Sequence, residues 1–197
     1  RRPIINALSD LEHPCQALTD LLTIWNHIGC IKGVTIAFIG DGNNVAASLA
    51  LAATALGANF LIASPYKYAL PKELINRLEG IAQQTAASIL QVKDPKEAAQ
   101  KADVIYTDVW TSMGQEDDAE TRKVAFQGYQ VNNELMSLAH SNAIFMHDLP
   151  AHQGEEIATG MLEHPQSVVF DQAANKLHIV QAVLEFVLPP KNASKRI

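Results

Sequence analysis

The sequence predicts an α/β fold, a doubly wound, mostly parallel sheet flanked by helices. Three observations lead there. Short apolar or β-branched runs alternate with longer helical segments, runs such as Val34–Ile39 and Ala102–Ile105 read as buried strands, and cap or turn residues mark most junctions. Strands covered on both faces lose the two-residue alternation, and strands separated by helices join in parallel.

The elements follow in order. Ser9 and Glu12 have the spacing of a capping box, with Pro14 near the first turn, so a helix is expected from there to about Ile28. Leu18, Leu21, Leu22, Trp25 and Ile28 form its apolar stripe. Val34 to Ile39 reads as a buried strand. Asn43 to Leu56 reads as a helix apolar on nearly all sides, stopped by Gly57. A second strand spans Asn59 to Ala63, a weaker helix runs from about Pro71 to Gln84, and a strand covers Ser88 to Val92. Asp94-Pro95-Lys96-Glu97 is a helix start, with Asp94 as N-cap and Glu97 reaching back. Ala102 to Ile105 is a buried strand, followed by helices near Asp117–Gln127 and Glu134–Ala139. Ala143 to Met146 and Val168 to Phe170 read as strands, and Asn175 to Leu188 as a closing amphipathic helix.

The 197 residues allow one large domain or two small ones. We divide them into a lead-in and helix (1–30), an α/β ligand-binding domain (31–174) and a closing helix with its tail (175–197). Hydrophobic residues make up 48% and charged residues 18%, an ordinary globular mixture. The formal net charge of -6, with no basic block inside the fold, argues against nucleic-acid or anionic-membrane partners. Cys15 and Cys30 have no metal-ligand partners at finger spacing, so reduced thiols in a cytoplasmic or mitochondrial-matrix compartment are expected. No apolar run reaches membrane-spanning length. The chain begins without Met, which suggests a fragment or processed product.

The stretch that organises the chemistry is Tyr106 to Glu116, placed after a buried strand and before a helix. Open α/β sheets bind ligands at the carboxyl ends of strands. Asp108 there suits an amine, and N–H groups of the Ser112-Met113-Gly114 turn suit an acid. The plainer alternative is that Asp108 caps the turn and Trp110 fills core. Gly40-Asp41-Gly42-Asn43-Asn44 partly imitates the dinucleotide fingerprint. Val45 occupies its third glycine place, however, and no acid follows the second strand to hold a ribose. Asn43 and Asn44 are then ligand groups or a helix cap. His13 sits at a helix start, and Lys176 opens the last helix, facing an anion or solvent. His147 and His152 flank Asp148 without further ligand spacing, so no metal is expected.

Five motifs lie in order along the chain: Asn6-x-Leu8-Ser9-Asp10-x-x-His13-Pro14-Cys15-Gln16, Gly40-Asp41-Gly42-Asn43-Asn44, Thr107-Asp108-Val109-Trp110-x-Ser112-Met113-Gly114-Gln115-Glu116, Tyr129-Gln130-Val131-Asn132 and His147-x-Leu149-Pro150-Ala151-His152. Taken together, they resemble ornithine carbamoyltransferase. The likeness runs from Asn6 to Leu188 and implies a Rossmann-like sheet of the aspartate/ornithine carbamoyltransferase type. It implies transfer of a carbamoyl group from carbamoyl phosphate to the side-chain amine of L-ornithine, without metal or organic cofactor, in an assembly that is commonly a trimer. By the same resemblance, Asp108 binds the ornithine α-amino group, while Asn44, Ser112 and Met113 bind the α-carboxylate and nearby atoms. His13 and Gln16 contact carbamoyl phosphate, and the carbonyls of Asp148 and Leu149 accept from its amide.

The sequence departs from the family pattern in ways that all weaken anion handling. The amino-terminal carbamoyl-phosphate domain, with its Ser-x-Arg-Thr-type loop, has no counterpart in these residues. Asp148 stands at the family's Cys place, Lys176 at an Arg place and Gln153 at another. Lys keeps the charge but lacks the planar fork of Arg. These departures leave two readings: the ornithine-binding half of the enzyme, inactive alone, with His13, Asp148 and Lys176 on the catalytic side, or a non-catalytic amino-acid-binding or regulatory module. Self-association through the first and last helices is expected, because each carries apolar positions that the missing half would cover.

Overall fold

The computed structural model describes residues 3–112 and 114–188. Its helices are α1 (Pro14–Ile28), α2 (Asn44–Ala55), α3 (Lys72–Thr85), α4 (Pro95–Ala99), α5 (Ala119–Ala125), α6 (Asn133–Met136) and α7 (Val169–Val187). Its strands are β1 (Thr35–Ile39), β2 (Asn59–Ala63), β3 (Ile89–Val92), β4 (Val104–Thr107) and β5 (Ile144–His147). The five strands form one parallel sheet in the order β3-β2-β1-β4-β5. This is the parallel α/β architecture the sequence predicts.

Alternation within each strand explains why the runs are largely apolar. Ile36, Phe38, Phe60, Ile62, Val104, Tyr106, Ile144 and Met146 enter one core with α1 and α2. Ala37, Ile39, Ala63, Ile105 and Phe145 enter the other, with Trp110, Phe126 and Leu135. Residues of the inner strands β1 and β4 therefore have a dry layer to enter, whichever way they point, whereas the edge strand β3 leaves Leu90 and Gln91 exposed. Phe38 and Tyr106, paired across β1 and β4, stack with ring centroids 5.3 Å apart.

The helix starts reveal which local signals survive packing. Asn43 caps α2 by accepting from the Val45 and Ala46 N–H groups, and Asp94 caps α4 by accepting from Lys96 N–H. Ser9 does pair with Glu12, but as a separate turn. Helix α1 begins only at Pro14, with His13 at the cap position and no side-chain cap bond. Val168–Phe170 is not a strand. Phe145 exchanges backbone bonds with Gln166 and Val168, after which the chain turns into α7 at Val169. Three apolar residues satisfy either pattern, and burial of Val169 and Gln172 on one helical stripe decides for the helix. Asn175 and Lys176 consequently lie inside α7 and do not open it.

A buried polar cluster ties α1 and α7 to β4. The Asp20 carboxylate accepts from Gln16 Nε2 (2.8 Å) and Gln172 Nε2 (2.7 Å) on one oxygen and from the Tyr106 hydroxyl (3.1 Å) on the other. Burial pushes the Asp20 carboxyl up to about 7, even though these three bonds favour its charged form. The unfolded chain ionises this group near 3.8, so the native state binds more protons between those values. Stability therefore falls as pH climbs from about 4 through about 7, by on the order of 4 kcal/mol from this group. We predict that Asp20→Asn flattens the pH dependence of the urea midpoint in that window. Parallel curves for the two proteins would show that Asp20 is ionised in the native state.

Candidate active site

The order of the strands places the site. From β1 the chain winds outward to β2 and β3, then crosses back to β4 on the other side of β1. The loops leaving β1 and β4 therefore diverge, opening the crevice in which parallel sheets hold ligands. A cleft of about 1320 Å³ lies there, with Asn43, Asn44, Asp108, Ser112, Asp148 and Leu149 in its lining.

Asp108 follows the last residue of β4 and is buried at the cleft floor. Asn43 Nδ2 donates to its Oδ2 (2.7 Å), and Val109 N–H donates to its Oδ1 (2.6 Å). Asn43 Oδ1 is occupied by the α2 cap, so one side chain fixes both the helix start and the carboxylate. Asn44 also lines the cleft, its Nδ2 donating to the Ser9 carbonyl at 2.8 Å. His13 lines it too, half-buried, with Nδ1 unpartnered and its backbone N–H on Ser48 Oγ (2.7 Å). Burial, then the charge of Lys176, push the His13 imidazole below its ordinary value and favour the neutral ring. A neutral ring there can exchange a hydrogen bond with a carbonyl oxygen while adding no charge to the cleft.

Other expected residues are placed differently. Gln16 is 1% exposed and lies in the Asp20 cluster, outside the cleft lining. Its position one turn before Asp20 draws it inward. Lys176 also lies outside the lining, on α7, with Nζ 3.4 Å from the Asp148 carbonyl oxygen. Ser112 faces the cleft, but its N–H bonds to Gln115 Oε1 and that of Gly114 bonds to Glu116 Oε1. The Ser112 and Gly114 donors are thus engaged within the loop. Met113 lies outside the described residues.

Leu149 adopts left-handed backbone (φ 59°), and its N–H donates to His147 Nδ1 at 2.9 Å. His147 is buried with Nε2 3.3 Å from Glu156 Oε1, so both ring nitrogens are engaged within the protein. Asp108, His147 and Asp148 approach one another within 4.8 Å, as do His152, Glu155 and Glu156. In the first group the His147 Nδ1 lone pair is already used. In the second, Glu155 pairs with Lys123 (3.0 Å), and Glu156 accepts from the His152 backbone N–H. The second group is thus tied up by its own ion pair and hydrogen bond, whereas in the first Asp148 Oδ1 has no hydrogen-bond partner.

Arg122 escapes sequence reasoning, and Gly42 takes a role other than the fingerprint it imitates. Arg122 of α5 pairs with buried Asp41 (2.7 Å), donates to the Trp110 carbonyl (2.9 Å) and lies 4.7 Å from the centre of the Tyr68 ring. It links the loop after β1 to the loop after β4, although in the sequence it looks like one more charge on an exposed helix. Gly42 has a steric role. A Cβ there would lie 2.6 Å from Leu70 N and 2.9 Å from the Tyr68 carbonyl, which accepts Gly42 N–H. Close backbone packing accounts for this glycine without a dinucleotide.

A parallel α/β sheet with a cleft at its switch point has the architecture of a small-ligand-binding domain. The chain belongs to the aspartate/ornithine carbamoyltransferase family: residues 32–187 match the model described as Aspartate/ornithine carbamoyltransferase, Asp/Orn binding domain. It is 51% identical over 186 residues to the ornithine carbamoyltransferase of Acidothermus cellulolyticus, covering 94% of this chain and 60% of that protein. It is 50% identical over 186 residues to the anabolic ornithine carbamoyltransferase of Pyrococcus furiosus, covering 94% and 59%. The solved Pyrococcus furiosus enzyme superposes with a TM-score of 0.88 at 49% identity, over 92% of this chain and 58% of that one. The anabolic enzyme of Campylobacter jejuni gives 0.87 at 38% identity, over 94% and 61%. The chain thus spans about 60% of the length of the curated relatives it matches.

The dual role of Asn43 is separable. Asn43→Ala removes both the cap, worth about 1 kcal/mol, and the Asp108 donor. Asn43→Asp keeps an equally good cap but faces Asp108 with a second carboxylate. At neutral pH we expect it to be the less stable of the two by urea denaturation. If Asn43→Asp matches wild type, the bond to Asp108 is absent in solution.

Proposed function

We propose that this chain is the ornithine-binding portion of an ornithine carbamoyltransferase, acting in arginine-related amino-acid metabolism in the cytoplasm. The complete protein transfers the carbamoyl group of carbamoyl phosphate to the side-chain amine of L-ornithine, giving L-citrulline and phosphate. The observation that carries this reading is Asp108, held by Asn43 and Val109 at the floor of the cleft. A carboxylate whose orientation is already fixed meets an ammonium group at little entropic cost.

Asn44, Ser112, Asp148 and Leu149 all line the cleft, where the α-carboxylate and the donor amide would be received. His13, neutral, would polarise the carbamoyl carbonyl as negative charge develops on its oxygen. Lys176 would act through the field it places on His13 and through the Asp148 carbonyl. Phosphate recognition would come from the portion of the full-length relatives that this chain does not span. The purely binding-module reading is not favoured, since relatives about 50% identical carry the enzyme's name.

Calorimetry tests the ligand directly. We expect heat on titrating roughly millimolar L-ornithine, and about ten- to a hundredfold weaker binding by Asp108→Asn, the worth of a charge-assisted bond. Equal affinity in both proteins would sink the assignment of Asp108.

We also propose that the chain self-associates, as in a trimeric assembly. Trp25 is 56% exposed on α1, and Leu177 and Phe186 are 61% and 91% exposed on α7. Exposed apolar surface of this kind seeks a partner. Sedimentation at tens of micromolar should show a species heavier than the monomer, and a monomer alone would contradict the idea.

A further inference from the structure

Asp148 follows β5 as Asp108 follows β4, and the two strands pair in parallel with Thr107 beside His147. The two carboxylates therefore emerge side by side, with oxygens within 4.8 Å. Their surroundings are unequal. Asp108 accepts from Asn43 and Val109, whereas Asp148 Oδ1 is buried and has no partner, the side chain being only 10% exposed. Both line the same cleft.

No neighbouring cation neutralises this pair. Among the described residues, no Lys or Arg lies within 4.0 Å of either carboxylate. From α7, Lys176 reaches the Asp148 carbonyl oxygen and not its carboxylate. From β5, His147 turns its Nδ1 lone pair to Leu149 N–H. From α5, Arg122 is committed to Asp41. The group facing the site from α1 is His13, with Asp20 and Tyr106 behind it. Asp20 adds negative charge when ionised, and His13 is held towards neutrality.

We propose that Asp108 and Asp148 form a proton-sharing carboxylate pair that exchanges its proton for the ammonium group of an incoming amine. The ammonium enters between the two carboxylates, the shared proton passes to solvent, and no other bond is broken. Two adjacent, largely buried carboxylates do not both ionise readily without a counter-charge. Burial, then the charge of Asp108, holds the Asp148 carboxyl well above the usual carboxylate range, in keeping with the unpartnered oxygen. The pair thus selects for positive charge. A neutral isostere of the amine would leave the proton in place, and a ligand with two ammonium groups can answer both carboxylates. The amine's identity rests on the ornithine reading, but the shared proton does not.

The first test needs no ligand. In protein labelled with carbon-13 at Asp carboxyls, the Asp148 resonance should titrate well above the ordinary range. Asp108→Asn should lower its midpoint by about one pH unit or more. An Asp148 midpoint at an ordinary carboxylate value, or one unmoved by Asp108→Asn, overturns the pair whatever ornithine does. The second test is calorimetry of L-ornithine in buffers of different ionisation enthalpy. We expect release of close to one proton per ligand near neutrality, with affinity rising by up to about tenfold per pH unit until Asp148 has titrated. Asp148→Asn should still bind but release no proton. Buffer-independent heats in wild type overturn the exchange. Absence of any ornithine heat, with the resonance behaving as expected, overturns the ornithine reading and leaves the shared proton standing.

Discussion

The parallel register of β1, β4 and β5 is the constraint on which the site depends. Ile36 lies beside Val104, and Val104 beside Ile144, so the three strands end at nearly one level. Gly40–Asn43, Asp108 and Asp148 consequently emerge along one rim although they are far apart in the chain. A shift of one residue in β4 would turn Tyr106 out of its stack on Phe38 and move Asp108 away from Asn43. Since apolar residues of β4 feed both dry layers, slippage would also bury Asp108 in one of them. Packing of the core and placement of the carboxylate are thus one condition.

Four buried or half-buried aspartates surround this rim, and each meets the problem of a charge in a dry place differently. Asp41 has a guanidinium, Asp108 has two N–H donors, and Asp20 has two amides and a phenol. Asp148 has an unpartnered oxygen in the cleft. Desolvation raises the cost of an ionised carboxylate unless donors or cations compensate. Burial pushes Asp41 up despite Arg122, and pushes Asp20 up to about 7 despite its three donors. With less compensation than any of these, Asp148 is the group for which a ligand's positive charge would make the greatest difference.

Much of this was legible in the sequence where the determinant is local. Asn59–Ala63 is found where its β-branched and apolar residues put it, and Asn43 and Asp94 cap the helices they precede. Asp108 is at a strand end as expected, although β4 runs to Thr107 because Tyr106 and Thr107 gain pairing partners in β1 and β5 that no local pattern announces. Where partners come from far along the chain, local reading fails. Ser9 and Glu12 keep their mutual bond but yield the helix start to Pro14, and Val168–Phe170 passes from a brief pairing with β5 into α7. Arg122 takes its role from Asp41, 81 positions away, and Gln16 from Asp20, which is buried together with Gln172 from 152 positions further along.

The buried Asp20 cluster also bears on how the cleft and the helices are joined. Gln172 donates to Asp20 and to the Tyr106 hydroxyl, and its Oε1 accepts from His147 N–H at 3.0 Å. One side chain of α7 thereby touches α1, β4 and β5, one residue before Asp148 and two before Asp108. Lys176, one helical turn further along α7, reaches the Asp148 carbonyl. A displacement of α7 along its axis would have to break these bonds inside the protein, where unpaired polar groups are costly. The helix is therefore locked to the strand ends by polar contacts, while its exposed apolar side chains make no such demand. Through Gln172 and Lys176 the same helix fixes the backbone that leads into Asp148.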